Sequence, residues 1–144
     1  MNYVPPFEES PVVLIIDDNE LMSEFLVVAL ERLGYPAMKA TVEGALDFVG
    51  QAPSLRVMLC DIHLGSSTGP DLVRRALRKR PDLKVVFMTT GFYDISVRHT
   101  DALLNKPFDL QTLKNAIDSV LGGTEDANAE QVPIAGDRRR LAAG

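Results

Sequence analysis

Five times along this chain a short, continuous apolar run gives way to a segment with helical spacing. That alternation restricts the fold more than any other feature. Val12-Val13-Leu14-Ile15-Ile16 is unbroken and rich in β-branched residues, as in a strand buried on both faces of a parallel sheet. Met22, Phe25, Leu26, Ala29, Leu30 and Leu33 then recur at helical spacing, and Gly34 stands where a helix C-terminus favours glycine. Tyr35 to Ala40 reads as a short strand, and Thr41 as the cap of a helix over Val42 to Val49 that Gly50 ends. Val57-Met58-Leu59-Cys60 is a third strand. Pro70 opens the next helix, with Leu72, Val73, Ala76 and Leu77 turned inward. Lys84 to Met88 and Leu103-Leu104 supply the last two strands. Asp109 caps a final helix with Leu110, Leu113, Ala116, Ile117, Val120 and Leu121 on one face. The pattern is that of an α/β protein with a doubly wound, five-stranded parallel sheet and helices on both faces. Only twelve residues separate Thr90 from Leu103, so the fourth helix, from about Asp94 to His99, is expected to be shortened.

Several function classes are excluded at this level. A single cysteine, Cys60, rules out an intramolecular disulfide framework and a Cys-cluster zinc site, and two histidines make a His-rich metal site unsuitable. The longest apolar run, Val12 to Ile16, is too short to span a bilayer, and Met1-Asn2-Tyr3-Val4-Pro5-Pro6 lacks the features of a signal peptide. A formal net charge of −5 argues against general nucleic-acid affinity. The expectation is a cytoplasmic domain with neither nucleic acid nor membrane among its partners. Its bounds are read as an arm over 1–10, the domain over 11–121 and a flexible tail over 122–144, small and polar after Gly122-Gly123.

Polar residues gather where strands end. The first strand ends in Asp17-Asp18, the third in Asp61, the fourth in Thr89-Thr90 and the fifth in Asn105-Lys106-Pro107. In open α/β sheets, ligands bind outside the carboxyl ends of the strands. Three carboxylates in one crevice repel unless a cation joins them, and hard oxygen donors suit Mg²⁺. Lys106 adds a mobile point charge. An exposed aspartate beside such cations is equipped to attack phosphorus and carry an acyl phosphate. Each residue also has a plainer reading. Asp18 can equally be the N-cap of the first helix, Thr89 a strand-end filler and Lys106-Pro107 a loop. Their joint placement at successive strand ends favours the chemical reading.

The chain resembles the receiver domain of two-component response regulators. The resemblance rests on Leu14-Ile15-Ile16-Asp17-Asp18-Asn19, Leu59-Cys60-Asp61-Ile62-His63-Leu64 with Gly69 following, Val86-Phe87-Met88-Thr89, and Lys106-Pro107-Phe108. It covers about residues 11–121, and four motifs in register are highly specific. It implies a flavodoxin-like strand order 2-1-3-4-5, with Asp61 as phosphoacceptor. Asp18 and Asp61 would ligate Mg²⁺ directly, Asp17 through water and His63 through its backbone carbonyl. Thr89 would be the switch hydroxyl, Lys106 the phosphate-pairing lysine, and the Lys106–Pro107 peptide bond cis. The implied activity is acceptance of a phosphoryl group from a histidine kinase or phosphotransfer protein, then slow self-dephosphorylation, with signalling to a downstream protein target. On this reading the chain is not an enzyme beyond its own Asp61 chemistry.

The sequence departs from the family at Leu103, where an aromatic residue is usual, and in the doubled Thr89-Thr90, which leaves the switch hydroxyl open between the two. The short fourth crossover weakens reliance on the family's usual dimer face, and a homodimer stays open. The alternative function is a pseudo-receiver, an interaction module that never carries phosphate. An Asp-nucleophile phosphatase would need an Asp-x-Asp motif in place of the adjacent pair, and a nucleotide loop after the first strand would be repelled by Asp17-Asp18. Cys60 reads as a core thiol. His63 reads either as a loop residue or as a modulator of dephosphorylation. Arg74, Arg75, Arg78, Lys79 and Arg80 form a basic outer helix face, solvated or docking a partner. Phe92-Tyr93 is either an exposed anchor or cover for the sheet.

Overall fold

The computed structural model describes residues 10–91 and 101–122. Most of the expected arm, the tail after Gly122, the shortened fourth helix and Phe92-Tyr93 lie outside those residues. The elements run β1 (Val13–Ile16), α1 (Glu20–Arg32), β2 (Ala37–Lys39), α2 (Val42–Gln51), β3 (Val57–Asp61), β4 (His63–Leu64), β5 (Ser67–Thr68), α3 (Gly69–Lys79), β6 (Lys84–Thr89), β7 (Ala102–Asn105) and α4 (Leu110–Gly122). Five strands form one parallel sheet in the order β2-β1-β3-β6-β7, the expected 2-1-3-4-5 with β6 and β7 as its fourth and fifth strands. The antiparallel β4–β5 ribbon after β3 is an addition that no apolar run announced.

Strand alternation divides the core into two layers. Val13 and Ile15 of β1, Val57 and Leu59 of β3, and Val86 and Met88 of β6 pack against α1 and α4. Leu14 and Ile16, Met58 and Cys60, and Val85 and Phe87 pack against α2 and α3. β1, β3 and β6 are buried on both sides, which is why their sequences are continuous rather than alternating apolar runs. Cys60 is fully buried in the second layer, and burial pushes its thiol up beyond any thiolate chemistry near neutral pH.

Local polar chemistry sets the helix ends. Asn19, Thr41 and Thr68 accept from the N–H groups of Met22, Gly44 and Asp71, and Asp109 accepts from that of Thr112. Each such cap stabilises its helix by about 1 kcal/mol. Gly34 has φ +97, the left-handed stop expected after α1. The expected stop at Gly50 needs correction, because α2 continues through Gln51. Pro53 ends it instead, holding Ala52 in an extended conformation. The carbonyls freed there go to Arg80, whose guanidinium donates to the oxygens of Val49, Ala52 and Leu55 at 3.3, 3.1 and 2.7 Å.

Candidate functional site

Alternation within the strands decides where the site forms. In β1, Ile15 faces the α1/α4 layer, so Asp17, two residues on, follows its parity; Asp61 follows Leu59 in the same way. Leu104 faces that layer from β7, and Lys106 lies two residues beyond it. Three side chains far apart in sequence therefore converge at one edge of the sheet. Asp18 has the opposite parity and is exposed, whereas Asp17 and Asp61 are buried.

The Lys106 ammonium joins the two buried acids, with Nζ 2.8 Å from Asp17 Oδ2 and 2.9 Å from Asp61 Oδ2. Burial opposes the lysine's charge, but hydrogen bonds to Asp17 and Asp61 outweigh it and hold its pKa above the ordinary value. Each acid uses its other oxygen on the backbone: Asp17 Oδ1 accepts from Asn19 N–H at 2.9 Å, and Asp61 Oδ1 from His63 N–H at 3.0 Å. Both carboxylates are thus oriented by the chain that immediately follows them. Asp18 is differently placed. Asn19, not Asp18, caps α1, and the Asp18 carboxylate has no hydrogen-bond partner among the described residues.

The Lys106–Pro107 bond is cis, as the resemblance implied, and Lys106 N–H donates to the Thr89 carbonyl at 2.7 Å. Between the threonines, Thr89 is buried and Thr90 exposed. The Thr89 hydroxyl exchanges long hydrogen bonds with the Gly91 backbone, at 3.3 and 3.4 Å, rather than joining the acid cluster. His63 is exposed on β4 beside Asp61. Sequence reasoning missed the role of Gly69 in the site: any Cβ at the first residue of α3 would overlap the Asp61 carbonyl oxygen. Gly69 N–H also donates to the Ile62 carbonyl at 2.8 Å, so α3 starts in direct backbone contact with the segment carrying Asp61. Its sequence signals are its place after the Asp61 motif and before a proline that opens a helix; neither discloses the contact with the Asp61 carbonyl.

Carboxylate oxygens of Asp17, Asp18 and Asp61 lie within 4.8 Å of one another. Three carboxylates against one ammonium leave a net double negative charge, and the donors are hard oxygens with Asp18 open to solvent. This donor set fits a divalent cation of the Mg²⁺ type, which favours few carboxylates and retained waters. The cluster borders a crevice of about 480 Å³ between the end of β2 and the loop after it, with Lys39 and Thr41, and the β4–β5 turn, with Gly65 and Ser66.

The sheet order and an acid cluster at its carboxyl edge are those of a signalling receiver, and the family model of the response regulator receiver domain matches residues 13–118. The chain belongs to that family, the receivers of two-component systems. It is 34% identical over 115 residues to the response regulator receiver protein CpdR of Brucella abortus (strain 2308), covering 76% of this chain and 95% of that protein. It is 32% identical to the photosynthetic apparatus regulatory protein RegA of Rhodovulum sulfidophilum, over 92% of this chain and 74% of that one. Among solved structures, a Burkholderia pseudomallei response regulator with a phosphorylated aspartic acid, calcium ion and citrate superposes with a TM-score of 0.65. That pair is 28% identical and shares 74% of this chain and 65% of the other. No helix among the described residues is long and apolar enough to cross a membrane.

Proposed function

We propose that this chain is a phosphoacceptor, taking a phosphoryl group onto Asp61 from a histidine kinase or histidine phosphotransfer protein. The observation that carries this reading is the single ammonium of Lys106 held between Asp17 and Asp61, with Asp18 uncommitted beside them. Asp18 and Asp61 would hold Mg²⁺ directly, Asp17 through water, and the His63 carbonyl would complete the protein ligands. The cation would neutralise charge on the transferring phosphoryl oxygens.

The residues themselves do the rest. An Asp61 carboxylate oxygen attacks phosphorus while the P–N bond to the donor imidazole breaks, its electron pair staying on the ring nitrogen. The hydrogen bond from His63 N–H fixes the Asp61 rotamer for that attack. Lys106 leaves the carboxylate oxygen it now contacts and pairs with a phosphoryl oxygen. Thr89 gives up weak contacts to Gly91 and donates its hydroxyl to another. The change at Thr89 and Lys106 is the output, read by a downstream protein target. The chain catalyses only its own phosphorylation and dephosphorylation, and works in the cytoplasm, where such donors present their phosphohistidine. The phosphorylated aspartic acid of the Burkholderia relative supports the same reading here.

Intact mass after incubation with Mg²⁺ and acetyl phosphate tests it. The expected result is a gain of one phosphoryl group that requires the metal and vanishes in Asp61→Asn. No gain from acetyl phosphate or from a panel of phosphorylated histidine phosphotransfer proteins would leave the pseudo-receiver, an interaction module without phosphate, as the function.

A further inference from the structure

The strongest charge feature outside the acid site is the second half of α3 and the start of β6. Of the 15 lysines and arginines in the chain, six fall between Arg74 and Lys84, against one acid, Asp82, in a protein of net charge −5. Helices in a doubly wound sheet run back against the strands. This basic end therefore lies at the amino edge of the sheet, opposite the Asp61 site.

Two of the six cations have structural work. Arg74 pairs with Asp71, and Arg80 pairs with Asp82 while binding carbonyls at and beyond the end of α2. Arg75, Arg78, Lys79 and Lys84 are exposed and make no ion pair among the described residues. Basic residues in a last helical turn complement the helix dipole, which accounts for Arg78 and Lys79 but not for Arg75 or Lys84. The spacing also works against stability, because Arg74 with Arg78 and Arg75 with Lys79 are like-charge pairs one helical turn apart. Four exposed cations without an ion-pair partner among the described residues leave this face with unneutralised positive charge.

We propose that this face docks an acidic segment of a partner protein. Half-buried Leu77 and exposed Pro81 stand among the cations, so the complementary surface carries carboxylates interleaved with apolar side chains. That mixture and the overall negative charge favour a protein segment over a nucleic acid, whose backbone calls for an uninterrupted basic track. Docking here leaves Asp61 open at the other end of the sheet, so a phosphodonor and this partner can be held together. The inference stands whether or not Asp61 carries phosphate.

Fluorescence anisotropy of the full chain with a labelled peptide of repeated Glu-Glu-Leu-Glu tests the proposal, beside labelled single-stranded DNA and phosphatidylglycerol vesicles. The peptide is expected to bind, more weakly as salt rises, and at least tenfold more weakly to Arg75→Glu/Arg78→Glu. Binding to Arg32→Glu/Lys114→Glu, which moves the same charge elsewhere, should change less than twofold. Should the first double variant misfold by circular dichroism, Arg75→Gln/Arg78→Gln replaces it with a loss of several-fold. Equal losses in both charge-reversed chains, no peptide binding at low salt, or preference for DNA or vesicles over peptide would each overturn the proposal.

Discussion

Lys106 and Asp17 are separated by 89 residues in the chain, yet their charged groups meet at 2.8 Å, and the same ammonium reaches Asp61 at 2.9 Å. The Lys106 side chain is 13% exposed and those of Asp17 and Asp61 are 1% and 10% exposed, so water screens the triad poorly. Removing the lysine strands two carboxylates in a poorly solvated cleft.

Lys106→Met is therefore expected to destabilise the fold by about 3 kcal/mol near neutral pH, measured by urea unfolding. The pH dependence follows from the raised lysine pKa. A group held above its unfolded value contributes fully below that value, 10.5, and loses its contribution as pH climbs through the folded one. The gap between wild type and Lys106→Met should stay constant from neutrality to about the unfolded lysine pKa and close only at higher pH. A gap that closes below pH 9 would mean that the ion pair is not its source.

Because the acid cluster carries more negative than positive charge, a divalent cation should bind the native state and not the unfolded one. Millimolar Mg²⁺ is expected to raise Tm, by about 2.7 kcal/mol of added stability if its concentration reaches a hundred times Kd. Asp18→Asn should remove most of that shift while changing metal-free stability little, since Asp18 is exposed and holds no hydrogen bond among the described residues. Scanning calorimetry with and without Mg²⁺ reads both.

Leu21, Phe25 and Val28 are 78%, 53% and 52% exposed and recur at i, i+4 and i+7 along α1, whose first turn adjoins the acid cluster. A donor protein bringing phosphohistidine to Asp61 would cover this stripe. Leu21→Ala/Phe25→Ala should slow transfer from a phosphorylated histidine phosphotransfer protein by about tenfold, the loss of roughly 1.4 kcal/mol of contact. Phosphorylation by acetyl phosphate should be unchanged in the same variant, and autoradiography or intact mass distinguishes the two arms.

Arg80 is a second long-range device, of purely architectural kind. It binds three carbonyls in and just after the last turn of α2 and both oxygens of Asp82, 3.1 Å away in each case, tying two helix ends together on one face of the sheet. Arg80→Ala is expected to lower stability by about 2 kcal/mol, since charge-assisted hydrogen bonds to backbone acceptors are lost. Arg80→Lys should recover less than half of it, because a point charge cannot serve three acceptors in the plane of a guanidinium. Chemical denaturation of the three proteins reads the difference.

Much of this architecture is written locally. The doubly buried strands are legible because both neighbours of each residue face apolar layers, which makes Val13–Ile16 and Val57–Cys60 continuous rather than alternating. Caps such as Thr41 and Asp109 act within three residues, so their signal is contained in a short window. α2 runs past Gly50 because that glycine does not take the left-handed turn that ends a helix; Pro53 and the distant Arg80 decide the end instead.

The sequence by itself determined which residue types reach the carboxyl edge: acids at the ends of β1 and β3, hydroxyls at the end of β6 and a lysine after β7. Only tertiary structure decided how they are shared. Pairing of β1, β3, β6 and β7 in parallel register brings Asp17, Asp61 and Lys106 together. It leaves Asp18 open, assigns the buried position to Thr89 rather than Thr90, and presses Gly69 against the Asp61 carbonyl. The reason is range: propensity and capping act over a few residues, whereas an ion pair spanning 89 residues exists only once the sheet has closed the distance.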